Sequence, residues 1–201
     1  MELGSGVGGL GDSFQMVFLS DLTVHPWLDI ACRAEALPFK DRSLDCLVLI
    51  DVLHHVKHPT SLFCEMRRVV KDGGHICILD MFISPFSYAF LKLFHHEPVV
   101  LRRDPLKQEN MPEGNQAIAT MLFFTKRRLN DFSKSFSNIR IIHKELFSTF
   151  LYPLVGGYGY RSWISSDTFL RLLPLDDFLS RKIGVLLAWR CLVVLKTGTS
   201  Q

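Results

Sequence analysis

Glu2-Leu3-Gly4-Ser5-Gly6-Val7-Gly8-Gly9 sets a carboxylate in front of a glycine-rich turn, and Asp51-Val52-Leu53-His54-His55-Val56 follows some forty residues later. Glycine has no Cβ, so such a turn can reach positive φ and let a ligand lie against bare backbone. Together the two stretches read as a nucleotide-cofactor site. Gly4, Gly6 and Gly9 match G-x-G-x-x-G, and Asp21 lies seventeen residues after Gly4, which fits a nicotinamide or flavin fingerprint. Glu2 argues against that choice, because a carboxylate beside the turn repels pyrophosphate and favours a ligand with cationic groups.

Four acids, Glu2, Asp21, Asp51 and Asp80, each end or follow an apolar run, which would set them along one rim. His55, just past one of these runs, has the best address for a general base, since imidazole titrates near neutral pH. His54 is expected to point elsewhere. Asp80 would stand at a strand tip where an acceptor could meet it, and His95-His96-Glu97 could fold over from the segment beyond. No metal is expected, because the spacing of His54, His55, His58, His95 and His96 matches no closed ligand set. Ser5 has no triad partner, which speaks against hydrolase chemistry.

The elements that must position these side chains follow from hydrophobic periodicity. Apolar runs at 15–20, 28–32, 44–50, 75–80, 139–143 and 186–195 are expected strands. Residues 59–71 carry Leu62, Phe63, Met66, Val69 and Val70 at helical spacing, with Pro59 as a start and Asp72-Gly73-Gly74 as a stop. Further helices are expected at 125–136 and 166–183, the second bent or split at Pro174. Strands alternating with helices predict an α/β fold with a doubly wound, mainly parallel sheet, whose ligands gather at the carboxyl ends of the strands. Residues 81–124, rich in Phe and broken by prolines, read as a cap or loop inserted into one domain covering 1–201. The stretch 154–166, with Gly156, Gly157 and Gly159 among aromatics, could line a pocket.

These blocks resemble the class I S-adenosylmethionine-dependent methyltransferases, in the branch that includes ubiquinone-biosynthesis and small-molecule enzymes. The likeness covers residues 1–80 and rests on four ordered blocks. They are the Glu2 to Gly8 turn, Ala36-Leu37-Pro38-Phe39 with Ser43-Leu44-Asp45, the Asp51 to Val56 stretch, and Glu65-Met66-Arg67-Arg68-Val69-Val70-Lys71-Asp72-Gly73-Gly74. The resemblance implies a Rossmann-like fold with the cap after the fifth strand, and S-adenosyl-L-methionine as cofactor. That molecule has no phosphate and carries cationic ammonium and sulfonium groups, which suits an acid at Glu2.

By the same resemblance, Glu2 with the backbone of Gly4, Ser5 and Gly6 would hold the methionine end, and Asp21 would accept hydrogen bonds from the ribose hydroxyls. Ala34 and Glu35 would lie beside the adenine, and Asp51 and Val52 through His55 would floor the sulfonium. Two departures stand out. Arg33 occupies a place where the family usually has an acid, and only Met1 precedes Glu2, so the chain is expected to lack part of its first strand. The acceptor is expected to be a small molecule, apolar or aromatic, against Phe82, Phe86, Tyr88, Phe90, Phe94, Phe123 and Phe124.

Composition narrows the alternatives. A net charge of +3 spread over 201 residues, with short basic clusters only, offers no stripe for nucleic acid. Residues 81–101 are interrupted by Lys92, His95, His96 and Glu97, so they are not a transmembrane segment, though contact with a lipid surface is open. Five cysteines without a C-x-x-C pair read as reduced core residues, and no leader precedes the glycine turn, which points to the cytoplasm. Two other readings remain: a methyltransferase-like partner protein that has lost its cofactor, motivated by Arg33 and the short front end, and a nicotinamide oxidoreductase.

Overall fold

A computed structural model of the chain describes residues 1–6, 10, 17–94, 99–101, 103–107, 117–156 and 161–198. Among the described residues seven strands form one sheet: β1 (Glu2–Leu3), β2 (Leu19–Asp21), β3 (Ile30–Ala31), β4 (Leu44–Ile50), β5 (Val70–Met81), β6 (Ile139–Phe147) and β7 (Arg190–Thr197). Their spatial order is β3-β2-β1-β4-β5-β7-β6. The first five run parallel, whereas β7 pairs antiparallel with both β5 and β6. The order reverses at β1, which pairs β2 on one side and β4 on the other. That reversal is where open α/β sheets leave a crevice for ligands.

The helices are α1 (Pro59–Val69), α2 (Pro85–Phe94), α3 (Ile118–Phe124), α4 (Lys126–Ser135), α5 (Leu151–Leu154) and α6 (Ser166–Leu187), with a 3₁₀ turn at Leu53–His55. Helix α1 starts on Pro59, whose missing N–H costs nothing in the first turn, and buries Leu62, Phe63, Met66 and Val69 along one face. That face packs on Leu47 and Leu49 of β4 and Ile76 and Ile78 of β5, all fully buried in one cluster. Phe63 meets the rings of Phe123, Phe132 and Phe136 at 6.2, 5.0 and 5.5 Å, so α3 and α4 close the same layer. A smaller cluster around Met81, Ile83, Leu91 and Trp189 lies beneath α2.

Three expectations are corrected. The apolar run at 186–195 is divided: α6 continues to Leu187, and β7 begins only at Arg190. An unbroken apolar run hides the change of period at its own middle. Helix α6 also passes through Pro174 and breaks instead at Ile183, whose φ of −134° is not helical. Pro174 is exposed, so water can take the hydrogen bond its ring displaces, while the break at Ile183 seats the buried Gly184 against Leu146. Finally, Phe82 and Phe123 are core side chains, and Phe124 packs on Phe82 at 5.0 Å. Among the described residues no helix is long and apolar enough to cross a membrane.

Candidate functional site

A cavity of about 420 Å³ opens at the carboxyl ends of β1 to β4. Leu3 and Gly4 contribute from β1, Asp21 and Leu22 from the end of β2, and the run Cys32, Arg33, Ala34, Glu35 from beyond β3. Asp51 and Val52 enter from the end of β4, followed by His55, Val56 and Lys57. The loop beyond β3 is clasped to α1 by Arg68, which donates to Glu65, Asp41 and the carbonyls of Leu37 and Phe39, while Glu65 accepts from the Leu37 N–H.

Gly4 turns the chain out of β1 with φ of +75°, and its N–H and that of Ser5 both donate to the Ser20 carbonyl at 2.8 Å. A Cβ at Gly4 would fall 2.2 Å from Cγ2 of Val52. The close approach that requires this glycine is therefore by a side chain of the cavity floor. Gly4→Ala combines left-handed strain with that clash, and is expected to destabilise the chain by about 2 kcal/mol or more. Urea denaturation measures it, and an unchanged midpoint would contradict the role.

Asp21 ties the turn to β2: its carboxylate accepts from the N–H of Gly6 at 2.9 Å and of Thr23 at 3.1 Å. Burial pushes its pKa up, but the N–H groups of Thr23, Gly6 and Leu22 and the charge of His25 outweigh that and hold it below the ordinary aspartate value. An ionised carboxylate thus stands at the cavity edge near neutral pH. Of the residues singled out in the sequence, Gly4, Asp21, Ala34, Glu35, Asp51, Val52 and His55 line this cavity together. Four other candidates do not line it. Glu2 is buried, its carboxylate accepting from the Leu10 N–H at 2.7 Å. Ser5 is buried and accepts from the Ser20 N–H at 3.2 Å, and Gly6 is held by Asp21 and by the Trp27 indole N–H. The fourth is Asp80.

Asp80 is buried beneath the floor, where Oδ1 lies 2.7 Å from Nδ1 of His54. His54 packs its ring 3.9 Å from that of His55, so the buried pair supports the histidine that reaches the cavity. Burial lowers the His54 pKa, but the hydrogen bond and charge of Asp80, with the charge of Asp51, overcome this and raise it above the ordinary histidine value. A raised folded-state value means that the pair's stabilisation is fully present below the unfolded pKa of about 6.5 and is lost as pH rises through the folded one. Thermal midpoints of the wild type and Asp80→Asn should therefore converge as pH is raised above neutrality; a constant difference would contradict the pairing.

Arg190 is a member of the site that sequence reasoning missed. From the first position of β7 it donates to both oxygens of Asp51, at 2.6 and 3.0 Å, and lies over the ring of Tyr152 at 5.8 Å. Asp51 itself has φ of +57°, uncommon for a residue with a side chain. An arginine inside the apolar run Ala188-Trp189-Arg190-Cys191-Leu192 was the available signal, because a buried guanidinium demands a partner. Asp51, His54 and Asp80 bring ligand-type atoms within 4.8 Å of one another, yet Asp51 is already engaged by Arg190. Val7, Gly8, Gly9, His95, His96 and Glu97 lie outside the described residues.

Residues 4–78 match the family model described as a methyltransferase domain. The ubiquinone/menaquinone biosynthesis C-methyltransferase of Burkholderia mallei is 39% identical over 51 residues, 25% of this chain and 21% of that protein. The chain thus aligns with about a fifth of the length of the curated relatives it matches. A SAM-dependent methyltransferase from Archaeoglobus fulgidus has a similar fold at a TM-score of 0.55 and 13% identity, covering 98% of this chain and 84% of that one. Phosphoethanolamine N-methyltransferase 2 of Haemonchus contortus, solved in complex with S-adenosyl-L-methionine, is similar at a TM-score of 0.52 and 13% identity, over 98% and 48% of the two chains.

Proposed function

We propose, from the match of residues 4–78 to the methyltransferase domain model and from the class I methyltransferase fold, that the chain transfers a methyl group from S-adenosyl-L-methionine to a small apolar or aromatic acceptor. The observation that carries this reading is the cavity itself, which joins a tight backbone turn at Gly4 to an ionised Asp21 at a strand end. Its volume of about 420 Å³ lies within the range of cofactor-sized sites.

In this reading Asp21 would accept from two ribose hydroxyls, and Ala34 and Glu35 would flank the base. Asp51 lines the cavity on the side where the cationic groups of the cofactor would lie, with its charge met by Arg190, while the carboxylate of Glu2, expected to serve there, is buried. When bound, the cofactor supplies a methyl group on a good leaving group. The protein's work is then to align the acceptor, exclude water and receive a proton. His55 is exposed at the cavity and braced from below by His54, so it is the proposed base; Asp80, buried and hydrogen-bonded to His54, is the proposed positioning residue. The reading takes residues 81–124 as a cap and the cytoplasm as the compartment.

Arg33 favours a second reading, in which the domain no longer binds the cofactor and serves as a partner subunit, because it sets a cation where the base would lie. Calorimetric titration separates the two. One equivalent of S-adenosylhomocysteine should bind, NADH should not, and His55→Gln should retain that binding while losing methyl transfer. Absence of binding by S-adenosylhomocysteine would favour the lapsed form, and preference for NADH would refute both.

A further inference from the structure

We propose that β6, at the edge of the sheet, pairs antiparallel with the same strand of a second copy of this chain, so that two molecules share one continuous sheet about a two-fold axis. β6 ends the strand order and pairs with β7 alone. Arg140 and residues 142–145 are exposed along it, and Ile142 keeps 50% of its surface in water. Among the described residues no hydrogen bond reaches the main chain of 140–145 from outside the sheet. Such an edge offers a row of N–H and C=O groups to another strand.

The charges along the edge select a second copy as the occupant, because they complement themselves. Arg140, His143 and Glu145 stand opposite Lys196, Val194 and Leu192, which alternate along β7 and so point to one face. A bulge between Ile141 and His143 makes this possible, since residues five apart on a regular strand point to opposite faces. When two β6 strands meet about an axis between Ile142 and His143, Arg140 of each copy lies across from the partner's Glu145, on the same face. Arg140 makes no ion pair among the described residues, and Glu145 has its own half-exposed His143 at 3.3 Å, so both charges are open to the second copy. Lysine commonly guards an edge, but Lys144 is turned back on its own chain: it donates to the Phe123 carbonyl at 3.0 Å and lies over the Phe124 ring. Apolar surface continues past the strand. Gly184 of α6 packs on Leu146, so Val185 and Leu186, 67% and 54% exposed, adjoin the carboxyl end of the edge and add to an area that strand pairing alone would leave small.

The test is sedimentation of the full chain over a range of concentrations, with amide hydrogen exchange read in the monomer and the dimer. A dimer should form as concentration rises, with amides in 140–145 exchanging more slowly in it. Arg140→Glu and Glu145→Arg, both at exposed positions, each set like charges across the axis twice, and each should weaken self-association at least about tenfold. Mixed in equal amounts the two variants should associate again, because each supplies the charge that the other lacks. A chain that stays monomeric at every concentration overturns the proposal. So does a dimer that either reversal leaves intact, or a mixture of the two variants that stays monomeric. A dimer abolished by Phe178→Glu on the exposed side of α6, with exchange at 140–145 independent of concentration, also overturns it, since the helix would then be the interface.

Discussion

Asp21→Ala is expected to weaken S-adenosylhomocysteine binding about a hundredfold. Two hydrogen bonds from ribose hydroxyls to an ionised carboxylate are together worth about 3 kcal/mol, and that difference in binding free energy is roughly two powers of ten. The carboxylate also fixes the turn by accepting from Gly6 and Thr23, so part of the loss comes from a looser loop. Asp21→Asn keeps the shape and one acceptor oxygen and should lie between the two. Folding is affected little, because Asp21 is partly exposed and its backbone donors can turn to water. Calorimetry on the three proteins gives the answer. Equal affinities would mean that the ribose lies elsewhere.

Asp51→Asn and Arg190→Met break the same ion pair yet should differ in effect. The side chain of Arg190 is 11% exposed, that of Asp51 44%. Removing the Asp51 charge strands a buried guanidinium, which costs about 3 kcal/mol. Asparagine tolerates positive φ, so this variant isolates the charge from the backbone effect. Removing Arg190 leaves a carboxylate that water can reach, and methionine fills much of the volume, so about 1 kcal/mol should be lost. Cofactor affinity should fall about tenfold in Arg190→Met, through the untethered left-handed turn that seats Val52 against Gly4. Denaturant midpoints and calorimetry test both halves. Greater destabilisation by Arg190→Met than by Asp51→Asn would refute the assignment of the buried partner.

The parts of this architecture that could be read from residues are those with local causes. Helix α1 announced itself by Pro59 and the spacing of Leu62, Phe63, Met66 and Val69, and β4 by its apolar run; both lie within a residue or two of expectation. Gly4, Asp21 and Asp51 were legible because a tight turn and a strand end restrict what can stand there. What could not be read depends on groups distant in sequence. Glu2 was assigned to the ligand, but the fold offers it the Leu10 N–H instead. Asp80 was assigned to an acceptor pocket, but His54, twenty-six residues before it, lies above it. Arg190 reaches Asp51 across 139 residues, and no local pattern encodes that meeting. The boundary between α6 and β7 was hidden for a different reason, since helix end, turn and strand are all apolar there.

A crystal structure of the chain with S-adenosylhomocysteine tests the central claim most directly. The account predicts the ribose hydroxyls within about 3 Å of the Asp21 carboxylate, the adenine between Leu22 and Ala34, and the sulfur facing Asp51 and His55. S-adenosylhomocysteine seated away from Gly4 and Asp21, or absent from crystals grown at saturating concentration, would contradict it.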